Sequence, residues 1–331
     1  MKRIFSGVKP TGHLTLGNYL GAVRGWAEND QYRADALFCV VDLHALTMQH
    51  DPARVRRLSR QAATLMLAAG LDPEQCTVFV QSHVDEHARL SYLLECTATD
   101  GEMRRMIQYK EKSAQAKASG DSVRLSLLTY PALMAADILA YATDEVPVGE
   151  DQTQHVELAR DLAVRFNQRY GHTFTVPEAT RPPVAARVMD LQDPTSKMGK
   201  SHESGAGIVY LLDDPGVVHK KVMRAVTDSG SEVVHDRDAS PGVANLLEVL
   251  AACTGKEPGE LAGTYTSYGA LKKDTADAVV ELLRPVQERH AALAADPGYL
   301  EEVLRRGAGR ARAMARPTVD AAYRAIGLLE P

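Results

Sequence analysis

Short apolar runs alternate with helical patterns through the first half of the chain. The runs lie at 4–8, 36–41 and 77–81, and their Val, Ile and Phe content is typical of buried parallel strands. Helical spacing over 17–27, 52–69 and 86–97 lies between and after them, and Asp51-Pro52 is a typical helix start. This alternation predicts an α/β fold with a doubly wound parallel sheet and right-handed crossovers. Ligands of such sheets bind beyond the carboxyl ends of the strands.

The same pattern continues to about residue 195 and then changes. We predict helices at 131–143 and 151–170, a strand at 146–148, a break over 171–183 and a last strand at 184–191. Helices dominate after about residue 212: one covers 241–253 and ends at Gly255, and another covers 276–290 with a kink or break at Pro285. The predicted domains are therefore a Rossmann-like catalytic domain over 1–195, a lysine-bearing loop over 196–205 and a helical domain over 206–331, whose last helices can pack back on the first domain.

Composition excludes several classes of protein but does not indicate a function. A chain of 331 residues is long enough for about two domains, and no apolar run reaches the ~20 residues that span a bilayer. The basic N-terminus lacks a long apolar segment and a cleavage site, so no signal peptide is predicted. Four scattered cysteines without a CxxC pair indicate neither a disulfide framework nor a zinc site. We expect a cytoplasmic protein with no membrane or DNA partner.

The charge of the chain does not decide whether it binds RNA. The formal net charge of −5 does not indicate a nucleic-acid protein, although a local patch can matter more than the sum. Residues 101–124 hold six Lys or Arg against three acids, a local excess that is more typical of a solvated helix face than of a phosphate site.

Two segments far apart suit a nucleoside triphosphate. Pro10-Thr-Gly-His-Leu-Thr-Leu-Gly-Asn18 follows the first predicted strand, and Lys197-Met-Gly-Lys-Ser201 lies in a loop rich in Pro, Ser and Lys. Small residues let the backbone approach phosphates, and lysines meet their charge. A GxGxxG fingerprint is absent, and a P-loop is excluded because Pro194 stands where its first glycine is required. The HxxEH pattern at His83 is better explained as a strand end running into a helix than as a metal site, and no metal site is predicted.

The two segments resemble the HIGH and KMSKS signatures of the class I aminoacyl-tRNA synthetases. Residues 127–139 and 146–152 narrow the resemblance to the tryptophanyl-tRNA synthetase family, in consistent order over most of the chain. The resemblance implies ATP and Mg²⁺ as cofactors, L-tryptophan and tRNA(Trp) as partners, and a homodimer. It implies formation of tryptophanyl-adenylate, followed by transfer of tryptophan to the terminal ribose 2′-hydroxyl of the tRNA.

The resemblance also implies which residues line the ATP site, with Thr15 at the first position of HIGH. Those around the nucleotide are Lys9, Pro10, Thr11, Gly17, Asn18, Gly149, Glu150, Asp151, Val188, Lys197, Met198, Gly199, Lys200 and Ser201. Those implied in catalysis are Thr15, Lys112, Lys197 and Lys200. Carboxylate attack on a phosphate needs positioning and charge compensation more than covalent help, and lysines with Mg²⁺ supply both.

The amino-acid pocket can be argued partly from the residues themselves. Tyr130, Met134, Asp137 and Tyr141 recur on one helix face, which on spacing alone favours a core stripe. Asp137 is the anomaly, because a carboxylate among apolar residues is costly to bury unless it is paired. An indole N–H is a donor only, so an aspartate acceptor suits it. The resemblance implies that the tryptophan site comprises Asp137, Tyr130, Met134, Gln152, Phe5, Gly7 and His44.

Two residues depart from the family pattern. Lys9 stands where the family usually has Gln, and Gly199 stands where it usually has Ser. Gly199 loosens the lysine loop, and Lys9 adds a cation beside the substrate carboxylate and α-phosphate. We expect these changes to alter the affinity for tryptophan or ATP, or the sensitivity to inhibitors that mimic tryptophan.

Three alternative functions stay open at the level of sequence. One is a tyrosyl-tRNA synthetase of the same subclass, and another is a small-molecule nucleotidyltransferase with the HIGH-type fold. The third is a non-catalytic or regulatory paralogue, which Lys9 and Gly199 keep under consideration. The helices after residue 206 resemble the family's anticodon-binding domain, although a purely structural bundle would have the same pattern.

Overall fold

The centre of the molecule is a five-stranded parallel sheet. The computed structural model describes residues 2–29, 35–149, 152–180, 187–199, 205–230 and 232–329. The strands are β1 (Ile4–Val8), β2 (Ala36–Val40), β3 (Thr77–Val80), β4 (Glu145–Pro147) and β5 (Glu178–Thr180). Their order is β3-β2-β1-β4-β5, with every pairing parallel. The order turns at β1, so the predicted doubly wound sheet is confirmed, and β1 lies at its topological switch point.

The prediction for the last strand was wrong. The fifth strand is Glu178–Thr180, inside the predicted break, and it pairs with β4 from Glu145↔Glu178 to Pro147↔Thr180. It is a polar edge strand, which a search for apolar runs does not detect. Of the predicted 184–191 strand, residues 184–186 lie outside the described residues, and residues 187–191 form only an isolated bridge from Met189 to Lys197. Val188 and Leu191 are apolar because they are buried in the core, not because they belong to the sheet.

The described residues up to the end of β5 form eight α-helices. They are α1 (Leu16–Asn18), α2 (Arg24–Glu28), α3 (Pro52–Ala68), α4 (Glu86–Glu95), α5 (Asp100–Arg105), α6 (Ile107–Ala118), α7 (Leu125–Leu139) and α8 (Thr153–Tyr170). A π-helical turn over Tyr19–Val23 joins α1 to α2, and 3-10 turns cover Leu43–Thr47 and Gln81–His83. The predicted start of α3 is confirmed: the Asp51 side chain accepts a hydrogen bond from Ala53 N, and Pro52 is the first helical residue.

Helix α7 begins earlier than predicted. The prediction placed Pro131 at its start, but the helix begins at Leu125 and contains Pro131 in its interior. A proline removes one helical N–H, so it is a common first residue and a rare internal one. Here the flanking residues Leu127 and Ala132 are buried, and their packing holds the helix together through the missing hydrogen bond.

Five further helices follow. They are α9 (Pro215–Met223), α10 (Pro241–Thr254), α11 (Pro258–Ala262), α12 (Tyr268–Ala294) and α13 (Pro297–Ala325). Helix α10 ends as predicted, with Gly255 in the left-handed conformation at φ 72°. Of the kink or break predicted at Pro285, the break does not occur, because α12 continues through it. Pro285 faces solvent, where water can satisfy the freed carbonyl, and buried Leu283 and Val286 anchor the helix on either side.

The two faces of the sheet bury two separate cores. Alternate residues of the strands point to opposite sides, so Phe38 and Val78 lie in one core while Leu37 and Phe79 lie in the other. The first core contains α3 together with α10 and α12, and the second contains α4, α7, α8 and α13. Within the described ranges, no helix combines the length and apolarity needed to cross a membrane.

Helix α13 packs directly on β3. A Cβ built on Gly307 would overlap the Val78 carbonyl oxygen, so the helix backbone touches the strand backbone. The guanidinium of Arg310 donates to the Pro73 carbonyl at 2.8 Å, and that of Arg312 donates to the His83 carbonyl at 2.6 Å. The C-terminal helix therefore supports the segment that enters the site described next.

Candidate active site

A buried carboxylate is held by three side chains beside the carboxyl ends of β2 and β3. Asp137 lies in the last turn of α7 and is 1% exposed. Its Oδ1 accepts hydrogen bonds from Gln81 Nε2 at 2.7 Å and from His87 Nδ1 at 2.6 Å. Its Oδ2 accepts one from His44 Nε2 at 2.8 Å. Burial opposes ionisation, but the hydrogen bonds from His44 and His87 outweigh it and lower the pKa of Asp137 to about 2.

A second layer of aromatic side chains lies behind this carboxylate. The hydroxyl of Tyr141 is 2.7 Å from Nε2 of His87, and both residues are fully buried. The predicted pocket residue Phe5 stacks on Tyr141 with ring centroids 5.7 Å apart. Strand β1, the turn after β2, the turn after β3 and helices α4 and α7 thus meet at one point.

The structure brings several predicted tryptophan-site residues to this point. His44 lies edge-on to Tyr130, with ring centroids 6.3 Å apart, and the Tyr130 hydroxyl is 2.7 Å from Nε2 of His155. Burial raises the pKa of Tyr130 above its usual value, so the hydroxyl stays protonated. Met134 is half-buried one turn before Asp137 on the same helix. Tyr130, Met134 and Asp137 therefore all lie on α7, as their spacing in the sequence predicts. Tyr141 lies just beyond the end of that helix.

Two further predicted residues, Gly7 and Gln152, are placed by close packing of the backbone and by a backbone hydrogen bond, respectively. A Cβ on Gly7 would lie 2.9 Å from Val41 Cγ1, so no larger residue fits there without a shift of Val41. Gln152 is the residue before α8, and its backbone N–H donates to the Gly149 carbonyl at 3.0 Å. Gly149 is exposed, and the predicted nucleotide residues Glu150 and Asp151 lie outside the described residues.

The first nucleotide segment forms a capped helix start. Thr15 is fully buried, and its Oγ1 accepts a hydrogen bond from Asn18 N at 3.2 Å, while Asn18 Oδ1 accepts one from Thr15 N at 3.1 Å. This reciprocal capping box fixes the N-terminus of α1. Pro10 is buried and Thr11 is exposed in the turn that leads to it.

The two nucleotide segments touch each other. A Cβ on Gly17 would lie 3.2 Å from the Met198 carbonyl oxygen, so Gly17 permits the close approach. Met198 N donates to the Val188 carbonyl at 3.0 Å, and Asp190 N donates to the Ser196 carbonyl at 2.8 Å. Residues 188–198 therefore form a hairpin that presents exposed Lys197 and half-buried Gly199 beside the first segment. Lys200 and Ser201 lie outside the described residues.

Sequence reasoning missed the residue that fixes this hairpin. Asn245 on α10 is buried, its Oδ1 accepts from Met189 N at 2.9 Å, and its Nδ2 donates to the Met189 carbonyl at 3.1 Å. A lone Asn in an apolar helix is a signal of such a backbone clamp, but its partner 56 residues away cannot be read from the pattern.

Two predicted lysines point in different directions. Nζ of Lys9 donates to Oγ1 of Thr47 at 3.4 Å, and that hydroxyl donates to the His44 carbonyl at 2.9 Å. Lys9 is thereby linked to the amino-acid side of the site. Lys112 on α6 is half-buried, its Nζ lies 3.5 Å from Gln108 Oε1, and burial lowers the pKa of its ammonium.

The structure also places Gln81 and His87, which were absent from the predicted site. Gln81 is in the turn after β3, and its Oε1 also accepts from Leu43 N at 3.0 Å. His83 and His87 stand on different elements, the 3-10 turn and α4, as a strand end running into a helix requires. The HxxEH pattern did draw attention to His87, but for metal chemistry rather than for its contact with Asp137.

A cleft of about 800 Å³ lies elsewhere, between α3 and α13. Its lining combines apolar side chains such as Leu46 and Leu304 with cations such as Arg56 and Arg305, and it includes none of the predicted site residues. The chemistry argued from the sequence belongs to the Asp137 side and not to this cleft.

Comparisons with known proteins agree with this architecture. The family model described as tRNA synthetases class I (W and Y) matches residues 1–284. A protein of Streptomyces avermitilis named Tryptophan--tRNA ligase 1 is 81% identical over 330 residues, with 100% of each chain covered. The chain therefore belongs to the class I tRNA synthetases of the tryptophan and tyrosine group, and to the tryptophan–tRNA ligases within that group.

Two solved structures extend the likeness to three dimensions. The crystal structure of tryptophanyl-tRNA synthetase from Mycoplasma pneumoniae superposes with a TM-score of 0.91 at 35% identity, covering 99% of this chain and 98% of that one. The enzyme from Campylobacter jejuni, complexed with ADP and tryptophan, has a TM-score of 0.82 at 32% identity, covering 98% of this chain and all of the other.

Proposed function

We propose that this chain joins L-tryptophan to tRNA(Trp) with ATP and Mg²⁺. It first forms tryptophanyl-adenylate and pyrophosphate, and then passes tryptophan to the terminal ribose 2′-hydroxyl of the tRNA. The observation that carries the proposal is the buried, ionised Asp137 in a chain 81% identical to a protein named Tryptophan--tRNA ligase 1. A cytoplasmic location is part of this proposal.

Asp137 selects the substrate side chain. An indole N–H can only donate, and an ionised carboxylate can only accept, so the two are complementary. Phenylalanine in the same pocket would leave the buried acceptor unpaired, and mismatches of this kind reject an analogue by ~10⁴–10⁵. Met134 packs on the indole ring, and His44 lies beside the carboxylate.

The substrate amino group is held on the other side of the pocket. Tyr130 keeps its proton and has a hydroxyl oxygen able to accept from an ammonium group, with His155 as its second partner. Gln152 supplies a side-chain amide at the start of α8. Phe5 and Gly7, both on β1, form the wall next to the sheet.

Activation is a displacement at phosphorus. An oxygen of the tryptophan carboxylate attacks the α-phosphorus, the bond from that phosphorus to the bridging oxygen breaks, and pyrophosphate leaves with Mg²⁺. Lys197 on the hairpin meets the triphosphate together with Lys200, three residues further along the sequence, and Lys112 approaches from α6. Cations placed where charge develops lower the barrier without covalent chemistry.

The nucleotide lies against the first segment. Gly17 leaves room for the adenosine at the helix start, and Lys9, Pro10, Thr11 and Asn18 surround it. Because Thr15 is fully buried and caps the helix, it acts by fixing the N-terminus of α1. Val188 packs near the adenine, with Gly149, Glu150, Asp151, Met198, Gly199 and Ser201 completing the site.

The helices after residue 206 read the anticodon, and two copies of the chain form a homodimer. Large apolar side chains are exposed on three neighbouring helices: Tyr92 (66%), Ile107 (56%) and Leu125 (74%). Helices α4 and α6 both pack against α7, and exposed apolar groups on helices that pack together favour an interface between copies. Sedimentation should give twice the chain mass, and a tRNA with a replaced anticodon should lose aminoacylation efficiency. A monomer would contradict the homodimer. Equal charging of both tRNAs would contradict recognition of the anticodon.

Amino-acid-dependent ATP–pyrophosphate exchange tests the central proposal. All twenty amino acids are offered separately, and tryptophan alone should support exchange. Exchange with tyrosine would overturn the pocket. No exchange with any amino acid, together with a gel shift of tRNA, would favour the non-catalytic paralogue that Lys9 and Gly199 keep under consideration.

A further inference from the structure

We propose that His87 is a positioning residue for tryptophan selection: it fixes the Asp137 carboxylate so that one acceptor position stays available for the indole N–H. The inference rests on the proposed function, because it takes Asp137 as the indole acceptor. His87 itself contacts neither substrate, and it acts through Asp137.

The contacts around His87 leave its ring a single arrangement. The side chain is fully buried between Phe79, whose ring centroid is 6.0 Å away, and Tyr141, whose centroid is 5.5 Å away. Nδ1 is 2.6 Å from Asp137 Oδ1, and Nε2 is 2.7 Å from the Tyr141 hydroxyl. Both ring nitrogens are therefore satisfied by buried partners.

Hydrogen-bond chemistry decides which atom carries the proton between His87 and Asp137. An ionised carboxylate cannot donate, so the proton between His87 and Asp137 belongs to Nδ1. Burial raises the pKa of Tyr141 well above its usual value, so its hydroxyl keeps its proton and stays hydrogen-bonded to Nε2. The Tyr141 hydroxyl, the His87 ring and Asp137 Oδ1 therefore form one continuous line of hydrogen bonds.

Counting acceptor positions gives the consequence for binding. A carboxylate has about four lone-pair sites, two on each oxygen. Gln81 and His87 occupy both positions on Oδ1, and His44 occupies one on Oδ2. One position on Oδ2 is left, and a single ligand N–H can fill it.

Loss of His87 would undo this arrangement. Oδ1 would keep only Gln81 as a donor, and the carboxylate could turn about its χ2 angle to share its oxygens differently. The vacant position would then no longer be fixed on Oδ2 beside His44. Outer hydrogen bonds of this kind commonly fix the orientation of a group that touches the ligand.

The test compares two substrates in each variant. Tryptophan is paired with β-(3-benzothienyl)alanine, which has a similar shape but carries sulfur in place of the indole N–H. The measured quantity is the ratio of their kcat/KM values in pyrophosphate exchange. This ratio does not depend on the fraction of enzyme that is folded, so a destabilised variant does not imitate the effect.

The variants separate the two hydrogen bonds of the ring. His87→Leu removes both, and the substrate ratio should fall about 10- to 100-fold, the range for a lost buried hydrogen bond to a charged group. His87→Asn keeps an amide N–H that can reach Oδ1, so it should recover part of the ratio. Tyr141→Phe is the matched control, because it leaves the bond from Nδ1 to Asp137 intact and should shift the ratio less than His87→Leu does.

Three results are distinguishable. A parent enzyme that does not prefer tryptophan over the analogue removes the proposed indole pocket itself. A parent that discriminates, with an unchanged ratio in His87→Leu, overturns the role of His87 while leaving the pocket in place. A lowered ratio with partial rescue by His87→Asn supports the inference.

Discussion

At the scale of single residues, Asp137 concentrates most of the chemistry in three side-chain contacts. Three donors converge on it, and an amide in its place would keep one acceptor oxygen but turn an N–H donor towards the donors on the other side. Asp137→Asn should therefore reduce the free energy of unfolding by about 3 kcal/mol, as loss of one member of a buried charged cluster does. Denaturant unfolding measures this loss directly.

The matched control for that variant is Asp277→Asn. Asp277 is exposed and forms only a long ion pair with Lys273 at 3.9 Å, so the change should stay within about 0.5 kcal/mol of the parent. Equal stability of Asp137→Asn and the parent would mean that the three donors do not depend on the carboxylate charge.

Lys9→Gln tests the departure of this chain from the family pattern. Lys9 reaches Thr47, which bonds the backbone of His44, so its charge lies near the amino-acid side of the site. If Lys9 lies beside the substrate carboxylate and α-phosphate as proposed, removing its charge should raise the KM for ATP by about threefold to tenfold, as loss of a partly screened charge contact does. The inhibition constants of tryptophan mimics should shift as well.

Lys110→Gln is the control for the lost charge. Lys110 is exposed on α6, and its replacement should leave the KM for ATP unchanged. If Lys9→Gln matches the parent in both the KM and the inhibition constants, the charge of Lys9 has no role in either.

The residues around Asp137 show where sequence reasoning at this scale succeeds. Asp137 itself stood out, because a charged residue within an apolar helix demands partners. Of its three partners, His44 was in the predicted site, but Gln81 and His87 were not assigned to it, because they come from 56 and 50 residues away. A buried charge can be recognised from its apolar neighbours in the sequence, whereas the groups that pair with it are brought together only by the fold.

At the scale of elements, an ion pair joins α5 to α8. The Arg165 guanidinium donates to both oxygens of Glu102, at 2.5 and 3.0 Å, while Glu102 also caps α5 through Thr99. The hydrogen bond from Arg165, followed by those from Thr99, lowers the pKa of Glu102 from 4.5 to about 2. Ionised Glu102 therefore stabilises the fold above pH 4.5, and this contribution is lost as the pH falls towards 2.

Glu102→Gln should reproduce that loss at neutral pH. We expect its free energy of unfolding at pH 7 to be about 0.5–1 kcal/mol below that of the parent, given the partial solvent screening of the pair. The difference should shrink between pH 4.5 and pH 2 in a series of denaturant titrations. Glu281→Gln, which removes an exposed partner of Arg284, should show no such pH-dependent difference.

Elements were predictable where one physical signal decides them. Buried strands β1 to β3 and helix α3 combine apolar content with clear boundaries, and they appear close to the predicted positions. Strand β5 was missed because an edge strand needs no apolar run. The internal prolines of α7 and α12 were treated as boundaries, but tertiary packing of the neighbouring residues outweighs one missing hydrogen bond.

At the scale of the whole molecule, helix α13 packs against strand β3, which belongs to the first half of the sequence. Gly307→Ala would push a methyl group into the Val78 carbonyl, where backbone meets backbone and neither can give way easily. We expect a loss of about 2–3 kcal/mol in the free energy of unfolding, as for other overpacked sites. Thermal unfolding with one probe in α13 and one in the sheet would show both parts melting earlier together.

Gly309→Ala is the control two residues further along α13. A Cβ at Gly309 meets open space, so the substitution should stabilise the helix by up to about 1 kcal/mol through its higher helix propensity. Destabilisation of similar size in both variants would contradict the close backbone contact at Gly307.

The contact between α13 and β3 has a consequence for biosynthesis. Arg310 and Pro73 are separated by 237 residues, so a nascent chain emerges almost entirely from the ribosome before this contact can form. Until then β3 is an uncovered sheet edge, and the turn that carries Gln81 lacks its support. A chain cut short by a premature stop or a stalled ribosome would keep that edge exposed and remain a target for chaperones and proteases. Translation past Arg310 is thus a condition for supporting a site whose own residues all lie far upstream.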